Sequence, residues 1–230
     1  MKNPATFRRT AAALGLVGSA ALLLVSTALQ PEFPSGFEER LTAIDEGGTG
    51  AAVSAIAFTL AQLFLLAGLL GIGHLLRSRT PLLSNLGTTL ALVGAFGHSV
   101  YGGVSLVMLE MASDTANTEV YAGILEAVES GPAVAFMAAG LIGTVVGLLL
   151  LSAGIWRAKL APRWLAPALW VFLVVEFAGS ALSEWSSLVS TVIYAVVMTT
   201  LAALVLRTDE STWEVRQTPA DLESAPRVAA

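Results

Sequence analysis

The sequence predicts an all-α polytopic membrane protein, a bundle of six transmembrane helices with both termini cytoplasmic. Of its 230 residues 55% are hydrophobic and 13% charged, with mean hydropathy +0.75, a balance that a soluble domain does not have. Six apolar segments each reach the ~20 residues that cross a hydrocarbon core of ~30 Å. The basic residues gather on one side of the path those segments trace, which sets the orientation.

The first segment, 10–29, follows Arg8-Arg9 and ends near Ser26-Thr27-Ala28. A basic pair, an apolar run and small residues also describe a signal peptide, even a twin-arginine one. The run is longer than the ~7–15 residues of a signal peptide's apolar region, so a retained helix is expected. The first outer loop, 30–50, carries Gln30-Pro31 and Gly47-Gly48-Thr49-Gly50 as loop punctuation. It is acidic, with Glu32, Glu38, Glu39, Asp45 and Glu46.

The second segment, 51–76, runs into Arg77 and Arg79, and Thr80-Pro81 turns the chain into the third, 85–111. In the second outer loop Val120, Tyr121, Ile124, Leu125 and Val128 recur at helical spacing among Glu119, Glu126 and Glu129, predicting a short amphipathic helix on the outer surface. Gly131-Pro132 opens the fourth segment, 133–156; Ala161-Pro162 precedes the fifth, 164–185; the sixth is 187–206. Trp156, Trp164 and Trp185 stand where interfacial anchors belong.

Lys2, Arg8, Arg9, Arg77, Arg79, Arg157, Lys159, Arg163, Arg207, Arg216 and Arg227 fall on one side of this path, and Arg40 alone on the other. The expected organisation is a cytoplasmic N-terminus (1–9), a six-helix transmembrane domain (10–206) and a disordered cytoplasmic tail (207–230), multi-pass in a bacterial cytoplasmic membrane. The tail is rich in acid and proline and poor in apolar surface. Two basic turns, Arg77 to Pro81 and Arg157 to Pro162, precede Phe96-Gly97-His98-Ser99 and Phe177-Ala178-Gly179-Ser180. Shared topology accounts for that weak repeat without a duplication.

A span ending GLLGIGHLLRSRTP, and a later one ending LLLLSAGIWRAKLAPRW, make the chain similar to a broad group of uncharacterised actinobacterial multi-span integral membrane proteins of unknown function. The resemblance covers the five spans after the first loop. It implies the fold class and brings no activity and no site residues.

Charge inside a span is costly and usually faces protein or a water-filled cavity. Glu176 and His98 are the candidates. At ~1.5 Å per residue His98 lies ~20 Å above Ser84 and Glu176 ~18 Å above Trp164, near a common midplane depth. Gln62, Thr144 and Tyr194 fall at similar depth, and Tyr101 lies one turn from His98 on a face with Gly94, Gly102 and Ser105. Together these six are the ligand or proton-relay candidates. A Glu–His couple there would exchange a proton at ordinary pH. Alternatively Glu176 is protonated and bonded to a serine, tyrosine or carbonyl, and both residues only fix helix register.

Glycine stripes, notably Gly140, Gly143 and Gly147, predict close helix packing. His74, one turn before Arg77, reads as a headgroup or solvent-facing residue, ~15 Å in depth from His98 and so too far to share a haem iron. Two histidines are too few for a three-histidine zinc site. With no cysteine there is no thiolate chemistry, and no span holds a lysine for a retinal Schiff base. No nucleophile elbow, Walker sequence or H-E-x-x-H is present. Glu110 and Glu184 sit at outer span ends. No cofactor, metal or nucleic acid is expected. The expected partners are the bilayer and a membrane-protein partner or second copy. The expected function is small-ligand binding or proton-linked translocation through the polar layer, or, in a different class, a non-catalytic scaffolding or regulatory subunit of a membrane complex.

Overall fold

Pro4 at the first helical position and the Asn3 side chain, accepting a bond from the Ala5 amide at 3.0 Å, start α1 (Pro4–Leu29) in the manner of a capped helix. The computed structural model describes residues 3–32, 34–179, 183 and 185–214. Among these, α2 (Phe37–Leu76), α3 (Pro81–Ser113), α4 (Thr118–Ser130), α5 (Val134–Ala158), α6 (Leu165–Ala178) and α7 (Ser186–Arg207) follow, with short 3-10 turns at Thr115–Asn117 and Glu210–Trp213. Five helices, α1, α2, α3, α5 and α7, are long and apolar enough to cross a membrane. Large apolar side chains such as Leu63, Leu70, Phe96, Ile142 and Val174 are exposed on the bundle's outside, as a membrane protein requires.

The expected fifth span is shorter than the sequence suggests. α6 has 14 residues and covers ~21 Å at ~1.5 Å per residue, less than the hydrocarbon thickness. Gly179 caps the helix, and bonds from Ser183 N to Gly179 O (3.0 Å) and from Ser186 N to Ser183 O (3.1 Å) lead into α7. Glu184 and Ser180 lie outside the described residues.

The first outer loop is largely helical. α2 runs 40 residues, and at Gly48 the backbone takes φ 50°, ψ −126°, a conformation open to glycine and strained for side-chained residues. That kink separates a surface arm, 37–47, from the membrane-crossing part. Glu38 and Glu39 occupy the arm's first turn, where carboxylates complement the helix dipole. Phe37, Leu41 and Ile44 of the arm bury against Ala122 and Leu125 of α4 and Met108 and Ala112 of α3. The expected surface helix is therefore present. It buries Ala122 and Leu125, while Val120 and Ile124 stay 61% and 45% exposed.

The six longer elements close into a ring in the order α1, α2, α3, α5, α6, α7 and back to α1. Two seams are tight enough to exclude side chains. A Cβ added to Gly97 would lie 2.4 Å from Gly140 N, and one added to Gly147 2.3 Å from Ala91 N, so α3 and α5 pack backbone on backbone. Gly15 and Gly68 bring α1 and α2 together in the same way. The core, including Leu16, Leu69, Leu151, Phe172, Tyr194 and Met198, fills the ring's interior.

One end of the ring is basic. There Arg79 donates to Ala158 O at 2.9 Å, satisfying a carbonyl left open in the last turn of α5. The N-terminal residues 4–9 belong to α1, and part of the expected disordered tail is folded. Glu210–Trp213 docks on α1 and α2: Trp213 is 1% exposed, its indole donates to Thr208 Oγ1 at 2.7 Å, and Arg8 donates to its carbonyl at 3.0 Å. His74, expected to face solvent or headgroups, instead stacks on Trp213 with ring centroids 4.8 Å apart and bonds Thr212 O at 2.7 Å. A tryptophan in an acidic, proline-rich tail supplies the apolar surface that docking needs. Residues 215–230 lie outside the described set.

Candidate ligand-binding cavity

Because α6 stops at Ala178, Glu176 stands in its last turn and not at the centre of a span. The tight turn into α7 brings Ser190 against it, and Ser190 Oγ donates to Glu176 Oε2. The same hydroxyl also reaches Ser187 O at 2.9 Å. A serine has one hydroxyl hydrogen, so both contacts are full hydrogen bonds only when Glu176 supplies a proton to one of them.

Glu176 lines a partly open cavity of about 200 Å³ bordered by α1, α2, α3, α6 and α7 toward the acidic end of the ring. Its polar wall is Ser26, Thr27, Gln30, Ser54, Tyr101, Ser105, Ser187 and Glu176, and its apolar wall includes Phe58, Leu23, Ile44 and Leu109. Hydroxyls bind the helices around it. Ser54 Oγ lies 3.3 Å from Ser26 Oγ and donates to Ser26 O at 2.9 Å, and Thr27 meets Thr191 at 3.0 Å. These bonds hold α1 to α2 and α7 in lipid, where unpaired hydroxyls are costly.

A second cavity, about 250 Å³, lies at the basic end between α2, α5 and α7, lined by Ile72, Leu76, Ile155, Leu201 and Val205 with Arg207 and Thr208. Along α2 the order is Phe58, Leu69, Ile72; along α7 it is Ser187, Tyr194 and Met198, Leu201. The buried layer of Leu69, Phe172, Tyr194 and Met198 thus separates the two cavities. Within that layer Tyr194 Oη is 3.2 Å from Ser19 Oγ and its aromatic ring lies 5.2 Å from that of Phe172.

The sequence-derived candidates divide among different surroundings. Glu176 and Tyr101 share the acidic-end cavity. Tyr194 belongs to the buried layer. His98 does not line the cavity: its imidazole stands perpendicular to the Phe58 ring with centroids 6.1 Å apart, and the Tyr101 ring stands nearly perpendicular to the same phenyl ring at 6.2 Å. Among the described residues no hydrogen bond or ion pair joins His98 to Glu176. Gln62 is buried, donates to Phe58 O at 3.4 Å, and leaves Oε1 without a partner. Thr144 sits in the α3–α5 seam, its amide nitrogen 2.4 Å from where a Gly94 Cβ would be. Equal depth did not bring the six together, because depth leaves rotation about each helix axis free.

Ser26, Ser54 and Ser187 were not among the candidates. The available signal was the hydroxyl residues one or two turns on the acidic side of the midplane. In the sequence Ser26-Thr27 reads only as small residues at a cleavage-site position. No protein-family model matches the chain, and neither a curated protein nor a solved structure matches it.

Proposed function

We propose that the protein binds a small polar ligand within the membrane, in the acidic-end cavity, and passes it across the buried Tyr194 layer to the basic-end cavity. The observation that carries this reading is the pair of cavities, about 200 and 250 Å³, inside one helical ring and on opposite sides of that layer. Glu176 serves as the proton-exchanging group. Its proton supplies the hydrogen that the two Ser190 contacts need, so ligand arrival and proton departure occur at one carboxyl. Tyr101 orients ligand or water beside it. On this reading α6 with the turn behind it completes a sixth crossing. The basic end faces the cytoplasm of a bacterial cell by the excess of arginine and lysine there.

The test uses purified protein in detergent and a panel of glycerol, choline, acetate and glycine. At least one solute should raise the melting temperature by several degrees, since binding only the folded state stabilises it. Ala55 also lines the cavity, and Ala55→Leu, which extends that side chain, should abolish the rise while the protein stays folded. A panel without effect on the wild-type protein, with Ala55→Leu indistinguishable from it, would sink the reading.

A further inference from the structure

Among the described residues the wall of the acidic-end cavity holds one carboxyl group, that of Glu176, and no lysine, arginine or histidine. Its other polar groups are hydroxyls and one amide, which accept or donate as a ligand demands. The Tyr101 hydroxyl makes no hydrogen bond among the described residues, and the second Glu176 oxygen likewise has no described partner. Phe58 and Tyr101 put two aromatic rings on the wall, and aromatic faces attract cations, more strongly where water is excluded. Exposed Glu32, Asp45 and Glu46 stand one or two residues along the chain from wall residues Pro31 and Ile44, and acidic charge on a surface raises the local concentration of cations.

Arg40 and Glu129 both act electrostatically on Tyr101, with opposite signs. The Arg40 guanidinium lies 3.8 Å from Glu129 and 4.7 Å over the Phe37 ring, and donates to Pro34 O. Glu129 thus offsets its charge, and Arg40 is not on the cavity wall. At about 200 Å³ the cavity exceeds the ~10–15 Å³ one water needs and falls below the ~300–1,000 Å³ of sites for drug-sized ligands, which sets the ligand at a few heavy atoms.

We propose that this cavity selects a small organic ammonium ion, seated with its charge beside Glu176 and its carbon substituents against Phe58 and Tyr101. This rests on the cavity being a ligand site, as argued above. When the cation enters an empty site whose Glu176 is protonated, the proton leaves, and the cavity's net charge is unchanged.

Choline and its uncharged carbon isostere dimethylbutanol separate the two claims, because they match in shape and differ in charge. Binding is measured by titration calorimetry on the full chain in detergent. The expected result is choline at least about tenfold tighter than the alcohol, with an observed heat that varies with buffer ionisation enthalpy because a proton is released to the buffer. Glu176→Gln should bring the ratio to within about twofold while the alcohol still binds, and Phe58→Leu should lower it part of the way. Equal affinity for alcohol and choline in the wild-type protein overturns the ammonium assignment and leaves the cavity as a binding site. Failure of both to bind, together with no effect of Ala55→Leu on any solute, overturns both. The wild-type ratio decides even if Glu176→Gln does not fold.

Discussion

Asp114 ends α3 with two hydrogen bonds to its carboxylate, from Asn117 Nδ2 and from Tyr121 Oη, both at 2.8 Å. Bonds to the ionised form hold its pKa below the ordinary aspartate value, Asn117 contributing most and Tyr121 next. Tyr121 is pushed the other way, chiefly because ionising it would break its bond to Asp114. A depressed carboxylate adds stability that is present above its unfolded pKa and is lost as pH falls through the folded one. The α3–α4 corner should therefore loosen in acid. In Tyr121→Phe the Asp114 carboxyl carbon, followed by NMR, should titrate closer to the ordinary aspartate range; an unchanged titration would mean the bond does not form. None of this pairing was legible beforehand, since Asp114 and Tyr121 are neighbours only once the Thr115–Asn117 turn forms. Glu176 was legible as an anomaly because an acid in an apolar run stands out. Its Ser190 partner required knowing where α6 ends.

At the level of elements, the glycine stripes of α3 and α5 were readable because spacing of three and four residues lies on one helix face. Their mates were not, because a stripe does not say which helix it meets. Gly97→Ala would press a methyl group onto the Gly140 backbone at 2.4 Å and should cost about 1–3 kcal/mol, read as a lower denaturation midpoint. Gly103→Ala, with nothing within 4 Å of the new atom, should leave the midpoint unchanged or slightly higher. Equal effects of the two would show that the seam is loose. The surface arm of α2 escaped the sequence reading for a related reason. Gly47-Gly48-Thr49-Gly50 reads as loop, yet a single non-helical glycine at φ 50° suffices to join two helical stretches at a kink.

The whole molecule is a ring whose last helix lies beside its first, and the Glu210–Trp213 turn fastens that junction. Asn3 and Thr6 both donate to Glu210, at 2.9 and 2.7 Å, and Arg9 donates to Thr208 O at 2.9 Å. Trp213→Ala removes a side chain 1% exposed and, by the usual cost of emptying a buried tryptophan site, should destabilise by about 3 kcal/mol. Hydrogen exchange should rise in basic-end peptides of α1 and α2 and stay low in the α3–α5 seam. Uniform exchange across both regions would contradict a local clasp. Hydropathy made membrane-crossing helices legible, but closure into a ring was not, because most transmembrane faces look alike in composition when lipid and protein interior are both apolar.

That junction also has a temporal meaning. Arg8 and Trp213 are 205 residues apart in sequence, so these contacts are among those of highest sequence separation among the described residues, and such contacts form late. During synthesis α1 emerges first and must wait, paired with α2, first for α7 and then for residue 213. The clasp is therefore a built-in final step. A chain released before that residue can set α7 against α1 but lacks the turn that fastens them, which gives cellular quality control a physical mark of incompleteness.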